Sequence, residues 1–273
     1  MKPNVSVVMT VFNGESHIDT AIPSILNQTY SDFEFIIVND GSTDSTFELL
    51  KEQEKKDRRI IVLDPGRLGF AKALNHGISK AKGKYIMRQD IDDISYPERF
   101  AKQVKHFEEN PNVGVIGGYS ILVDENRGER YNRMPPTSDN DIKRAMAKYI
   151  PFAHTIASFR KEAWDQVGGY PEAGNLVDLR FWLNIAKKDW AFHNIPSILG
   201  EHYVYGGSFW HKSFKYADRQ KDLATVQKRV IKELGLPYWM YVYPIGRSIY
   251  RYMPKNIKKF TRRSVGGSRE RDL

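Results

Sequence analysis

At 273 residues, 41% hydrophobic and 27% charged, the chain suits one large domain, or a domain and an appendage, around a sizeable core. With no cysteine, disulfides and thiolate metal sites are excluded and a cytoplasmic protein fits; lacking an apolar run of about 18 residues or an N-terminal leader pattern, neither a membrane span nor a secretion signal is expected. The net charge of +9 sits at the C-terminal end, where residues 212–273 hold 16 Lys/Arg and 5 Asp/Glu against 26 and 28 in the rest, so it speaks of docking and not of the main domain's chemistry.

In chain order, Val5 to Val11 is a β-branched apolar run expected to form a strand buried on both faces, ending at the turn Asn13-Gly14. Glu15 to Asn27 carries Ile18, Ala21, Ile22, Ile25 and Leu26 at helical spacing. Phe33 to Asp40 is a second strand, stopped by Gly41-Ser42, and Thr43 to Thr46 can cap a helix reaching about Lys56. Ile60 to Leu63 is a third strand, Ala71 to Ala81 a helix with Gly83 just past it, and Lys84 to Arg88 a fourth strand leading into Asp90. Further on, Pro97 to Asn110 reads as a helix, Val113 to Gly118 and Tyr119 to Val123 as strands, Asp139 to Lys148 as a helix and Thr155 to Phe159 as a strand. Gly168 to Pro171 is a turn and Val177 to Lys187 a helix. This alternation predicts an α/β fold with a parallel sheet, whose ligands bind at the carboxyl ends of the strands.

Polar groups collect at those ends: Asn13 and Glu15, Asp40, Asp64 and Arg67, then Asp90, Asp92 and Asp93. Carboxylates packed as tightly as Asp90-Ile91-Asp92-Asp93 repel one another, and a hard cation such as Mg²⁺ or Mn²⁺ relieves that cost while bridging to substrate phosphates. The competing reading is acid decoration of a helix N-terminus, since Pro97-Glu98-Arg99 opens a helix nearby.

Three ordered segments decide between them: Val7 to Gly14, Ile37 to Thr46 with its Asp40-Gly41-Ser42, and Arg88 to Phe100 with the acidic run. Together with Phe159-Arg160-Lys161 and Val167 to Pro171, they closely resemble glycosyltransferase family 2, inverting enzymes of the GT-A fold, over roughly residues 4 to 210. The resemblance implies a nucleotide-sugar-binding half over 1–100 and an acceptor half over 101–210; past it, residues 211–273 read as a helical basic extension. It implies that Thr10, Phe12, Asn13 and Glu15 hold base and ribose and that Asp40 accepts the uracil N–H with Ser42 beside it; Arg67 and Lys72, after the third strand, are placed either to reach the diphosphate or as solvated surface charges. Asp92 matches the metal ligand for Mn²⁺ or Mg²⁺, Asp90 and Ile91 face ribose or donor sugar, and Asp93 supports them from behind.

The base that takes the acceptor's proton matches Asp178, although the usual preceding Glu is Val177 here. His154 and Trp182 are candidates for the acceptor side. His202 and His211 flank Tyr205 to Ser208, where relatives place a histidine; Tyr205 occupies that place and no histidine ligand is assigned. The expected function is transfer from a UDP-sugar to a saccharide, lipid-linked acceptor included, in glycan synthesis at the inner face of the membrane, with no nucleic acid. The alternatives are a sugar-phosphate nucleotidyltransferase, disfavoured because Thr10 to Glu15 lacks its Gly-rich basic loop, and an inactive nucleotide-sugar-binding relative. Past a polar helix over Phe214 to Leu234, Leu236 to Ile245 interleaves aromatic and aliphatic residues, with Arg247, Arg251, Lys255, Lys258, Lys259, Arg262 and Arg263 following. That pattern fits either peripheral contact with an anionic membrane or a helical subdomain packed on the core; disorder is expected past Ser264.

Overall fold

The computed structural model describes residues 2–205 and 216–252. His211, the start of the helix expected from Phe214, the basic residues from Lys255 on and the expected disorder past Ser264 lie outside them. Among the described residues nine strands form one sheet: β1 (Val5–Val11), β2 (Phe33–Asn39), β3 (Ile60–Leu63), β4 (Tyr85–Asp90), β5 (Ile94–Ser95), β6 (Val113–Asp124), β7 (Glu129–Arg133), β8 (Ser158–Arg160) and β9 (Ala191–Val204). Their order is β3-β2-β1-β4-β8-β6-β9-β5, with β7 on the far half of β6. The first four pair in parallel, as the alternation of strands and helices requires; β8 then runs antiparallel to β4 and β6, while β9 returns parallel to β6. The helices are α1 (Ile18–Leu26), α2 (Thr46–Lys56), α3 (Phe70–Lys80), α4 (Arg99–Glu109), α5 (Asp139–Met146), α6 (Lys161–Val167), α7 (Val177–Ala186), α8 (Tyr216–Glu233) and α9 (Val242–Tyr252).

The β-branched runs are buried because side chains alternate between two cores. Val5, Val7, Met9 and Val11 of β1 join Phe33, Phe35 and Ile37 of β2 and Tyr85 and Met87 of β4 on one face. Val8, Ile36, Val38 and Ile86 join the core on the other, with Phe152, Phe159, Phe181 and Trp182. Even-numbered positions of β4 therefore face the second core, which puts Arg88 and Asp90 on the side of α3. Register aligns Thr10 with Val38 and with Asp90, so three strand ends open into one cleft.

Several expected boundaries shift for identifiable reasons. The first helix begins as a 3-10 turn at Glu15–His17. Asp44 caps α2, accepting from the N–H (3.1 Å) and hydroxyl (2.6 Å) of Thr46. Gly83 is not a helix cap: a Cβ there would lie 2.4 Å from the Ser6 nitrogen, so glycine is required by the close approach to β1. The expected strand over Thr155 to Phe159 is a 3-10 turn, His154–Ile156, followed by β8, and the two strands over 113–123 are one, β6, with irregular register beside β9. α8 places Val226, Val230 and Ile231 in the second core, so this part of the extension packs on the main body.

Candidate active site

The cleft floor is held by buried cations. Arg88 is fully buried and pairs with the Asp90 carboxylate, which also takes its backbone position from a bond of its N–H to the Thr155 hydroxyl (3.1 Å). Burial alone would raise the Asp90 carboxyl, but Arg88, with His154 and His202, holds it below its ordinary value. Arg99, also fully buried, donates to Gln89 Oε1 (3.1 Å), Ser95 Oγ (2.7 Å) and the Arg88 carbonyl (2.7 Å). Burial and neighbouring Arg88 push its guanidinium down to about 9. Two such charges need compensation, and the acidic run supplies it from above.

The three acids of that run have separate environments. Asp93 is buried and accepts from the Tyr203 N–H (2.8 Å) and from His202 Nδ1 (3.1 Å), which pins the run to β9. Burial pulls His202 down, and the charge and hydrogen bond of Asp93, together with the charge of Asp90, outweigh it, the net being upward. Asp92 is pushed up to about 7 by burial and by the charges of Asp93 and Asp90. Its partner is the Tyr205 hydroxyl, itself pushed up to about 12 by burial and by Asp92; the Tyr205 ring lies 5.7 Å from that of His17. A carboxylate whose ionisation is opposed by two like charges is a fitting cation ligand. Among the described residues no three His, Cys, Asp or Glu converge to hold a metal unaided. A site of one or two protein ligands completed by substrate phosphates matches how Mg²⁺ is commonly bound.

The rim is stitched between strand ends. Asp40 Oδ1 accepts the N–H groups of Leu68 (2.7 Å) and Gly69 (2.9 Å), and Oδ2 pairs with Arg67 Nη1 (2.8 Å). The Arg67 guanidinium in turn lies 3.7 Å above the exposed Phe12 ring, a cation–π platform at the mouth. Asn13, at φ 51°, accepts the Thr43 N–H (2.8 Å), and its own N–H donates to Ser42 Oγ (3.0 Å). Glu15 accepts the Ser45 N–H (3.0 Å).

Asp178 sits in the first turn of α7, entered through Leu176 in the left-handed region (φ 58°). Burial pushes its carboxyl up, the first amides of the helix and Arg133 pull against that, and the charge of Asp90 adds to the rise. Arg133, at the end of β7, bonds the carbonyls of Ile150 (2.5 Å) and Phe152 (3.1 Å).

Comparison with known proteins accords with this geometry. Residues 6–168 match the family described as Glycosyl transferase family 2. The putative glycosyltransferase EpsE of Bacillus subtilis is 32% identical over 259 residues, 92% of this chain and 90% of that protein. The chain belongs to glycosyltransferase family 2. The amylovoran biosynthesis glycosyltransferase AmsE of Erwinia amylovora is 28% identical, covering 93% of this chain and 96% of its own. Among solved structures, the mannosyltransferase PcManGT of Pyrobaculum calidifontis, in complex with GDP-Man and Mn2+, aligns with TM-score 0.67 at 18% identity over 97% of this chain and 80% of its own. S. aureus TarS 1–349, in complex with UDP-GlcNAc, aligns with TM-score 0.70 at 15% identity over 97% and 76%. The fold is GT-A, and neither a nucleotidyltransferase nor an inactive relative is favoured.

Against this family frame, the structure gathers Thr10, Phe12, Asn13, Glu15, Asp40, Ser42, Arg67, Asp90, Ile91 and Asp92 at adjoining strand ends, with Ile91 against Gly14. Lys72 is exposed on α3. His154 is drawn down to about 3 by burial and Arg88, bonds Tyr170 Oη (2.9 Å) and lies edge-on to Phe70. Trp182 is fully buried, its ring 6.2 Å from that of His154, so it offers no surface to an acceptor. Sequence reasoning missed the buried arginines Arg88 and Arg99, Arg133 beside Asp178, and the pairing of His202 with Asp93. Of these, Arg133 had no sequence signal at all; Arg88, Arg99, Asp93 and His202 stood in or next to the motifs of the acidic run and of the Tyr205 stretch.

Proposed function

We propose that the chain transfers a sugar from a UDP-sugar to a saccharide acceptor with inversion, in polysaccharide assembly, the acceptor being lipid-linked and met on the cytoplasmic side. The observation that carries this reading is that two upward-shifted carboxyls, Asp92 and Asp178, both lie within reach of the charge of Asp90. Asp92, with His202 beside the run, would hold Mn²⁺ or Mg²⁺, which neutralises the departing nucleoside diphosphate. Phe12 and Arg67 offer the base a stacking platform, and Asp40 fixes Arg67 in place. Asp90, ionised by Arg88, orients the donor sugar or ribose.

Asp178 takes the proton from the acceptor hydroxyl as its oxygen bonds the anomeric carbon and the bond to the diphosphate oxygen breaks. A carboxyl raised by burial is a stronger base than one in water, and a single base suffices for one in-line displacement. Arg133 favours its ionised form against that rise. The likeness to a UDP-GlcNAc-binding transferase and to polysaccharide enzymes supports UDP and a glycan acceptor. Calorimetric titration of UDP with and without Mn²⁺ tests the donor half. Asp92→Ala should lose the metal-dependent part of the affinity; retention of that part overturns the assignment.

A further inference from the structure

Among the described residues, most of the exposed large hydrophobic side chains are concentrated in one short segment. Met240 is buried, and Leu236, Tyr241 and Tyr243 pack on the second core, so the 3-10 turn Tyr238–Tyr241 and α9 are anchored. On the inner side Arg247 donates to Gln227 Oε1 (3.0 Å), Gln220 Oε1 (2.7 Å) and the Lys148 carbonyl (2.7 Å). Yet Tyr238 (88% exposed), Trp239 (61%), Val242 (59%), Ile245 (49%) and Ile249 (56%) face outward. Positions 238, 242, 245 and 249 recur three or four residues apart and form one line. Scattered apolar residues need no explanation, but a continuous stripe marks a contact surface.

We infer that this stripe rests on an anionic lipid bilayer, with the Trp239 and Tyr238 rings at headgroup depth. Rings and branched aliphatics on one face of a helix are what interfacial segments use. The sequence directly after α9, residues 253–273, holds seven Lys/Arg and two Asp/Glu, complementary to anionic headgroups. Among the described residues no helix is long and apolar enough to cross a membrane, so the contact is peripheral. A protein partner fits less well, because an 11-residue helix, about 16 Å long, presents far less than the roughly 800 Å² per side of a stable interface.

The stripe is connected to the acceptor side of the cleft. Arg247 holds the Lys148 carbonyl, Ile150 two residues on holds Arg133, and Arg133 acts on Asp178. Tyr149 and Met134, next in the chain to Lys148 and Arg133, are exposed as well. A bilayer on the stripe would thus present a lipid-linked acceptor beside the base; this consequence rests on the proposed function, whereas the lipid contact does not.

The test is flotation of the full chain with vesicles of phosphatidylglycerol and phosphatidylcholine, and with phosphatidylcholine alone. Binding only to the anionic vesicles is expected. The double variant Trp239→Ser/Ile249→Ser should partition about tenfold less or worse, with unfolding temperature and UDP binding as in the wild type. Failure of the wild type to float, or equal flotation of the variant, overturns the inference. So does a wild-type dimer that the variant converts to monomer without any lipid binding. UDP binding measured alongside keeps failure of this contact distinct from failure of the sugar-transfer reading.

Discussion

Replacing Asp40 by alanine separates its structural from its donor-binding work. Its Oδ1 accepts two backbone N–H groups, from Leu68 and Gly69, and its Oδ2 pairs with Arg67. Bonds from neutral donors to an ionised acceptor are each worth about 1.5–3 kcal/mol, and the Leu68 and Gly69 amides are partly solvated, so the lower figure applies to both. The Arg67 side chain is 48% exposed, which limits that pair to at most about 1 kcal/mol. Asp40→Ala should therefore cost about 3–4 kcal/mol, a fall of roughly 6–8 °C at about 2 °C per kcal/mol for a chain of this size. Asp40→Asn keeps an oxygen for both amides and loses only the ion pair, so its midpoint should fall by about 2 °C. Both variants leave Arg67 held above Phe12 only by its bond to the residue-40 backbone carbonyl (2.9 Å), and so weaken UDP binding. Thermal unfolding followed by circular dichroism, with UDP titrations on the folded variants, measures the two effects. An alanine variant as stable as the wild type, or an asparagine variant as unstable as alanine, refutes the clamp.

Two further outcomes follow from the charges. Asp92 is raised to about 7 in the folded chain, well above the value of about 4 for an unfolded aspartate, so the metal-free fold holds this proton more tightly. Its contribution to stability is complete below about pH 4 and is lost as pH rises through about 7; unfolding midpoints of chelator-treated protein should show this decline, and Asp92→Asn should flatten it. Arg133 pulls the Asp178 carboxyl down, so Arg133→Met should move the acidic limb of the pH–rate profile to higher pH, with Arg133→Lys moving it less; an unmoved limb excludes Arg133 from tuning the base.

The nucleotide half was legible because its strands are short apolar runs closed by turn residues, as β1 with Asn13-Gly14 and β2 with Gly41-Ser42 show. The acceptor half was less so. β9 reads AFHNIPSILGEHYV, with histidine, asparagine, proline and glycine and no period of two, and it becomes a strand only through pairing with β6 and β5. β5 has two residues and β7, ERYNR, is polar, so neither has a propensity signal. Missing β9 hid the contact between His202 and Asp93, 109 residues apart. Buried cations are also illegible locally: Arg88 and Arg99 look like surface charges until Gln89, Ser95 and backbone carbonyls surround them. The tail presented two readings, and the structure contains features of both, with Met240 packed inward and Trp239 outward.

The division of labour between the acidic run and the base is tested most directly by Asp178→Asn, with donor affinity and transfer measured on the same preparation in Mn²⁺. The account predicts an unchanged dissociation constant for the UDP-sugar and a fall in transfer of about 10²–10⁴-fold. Transfer at the wild-type rate, or donor affinity lost in step with transfer, would contradict it.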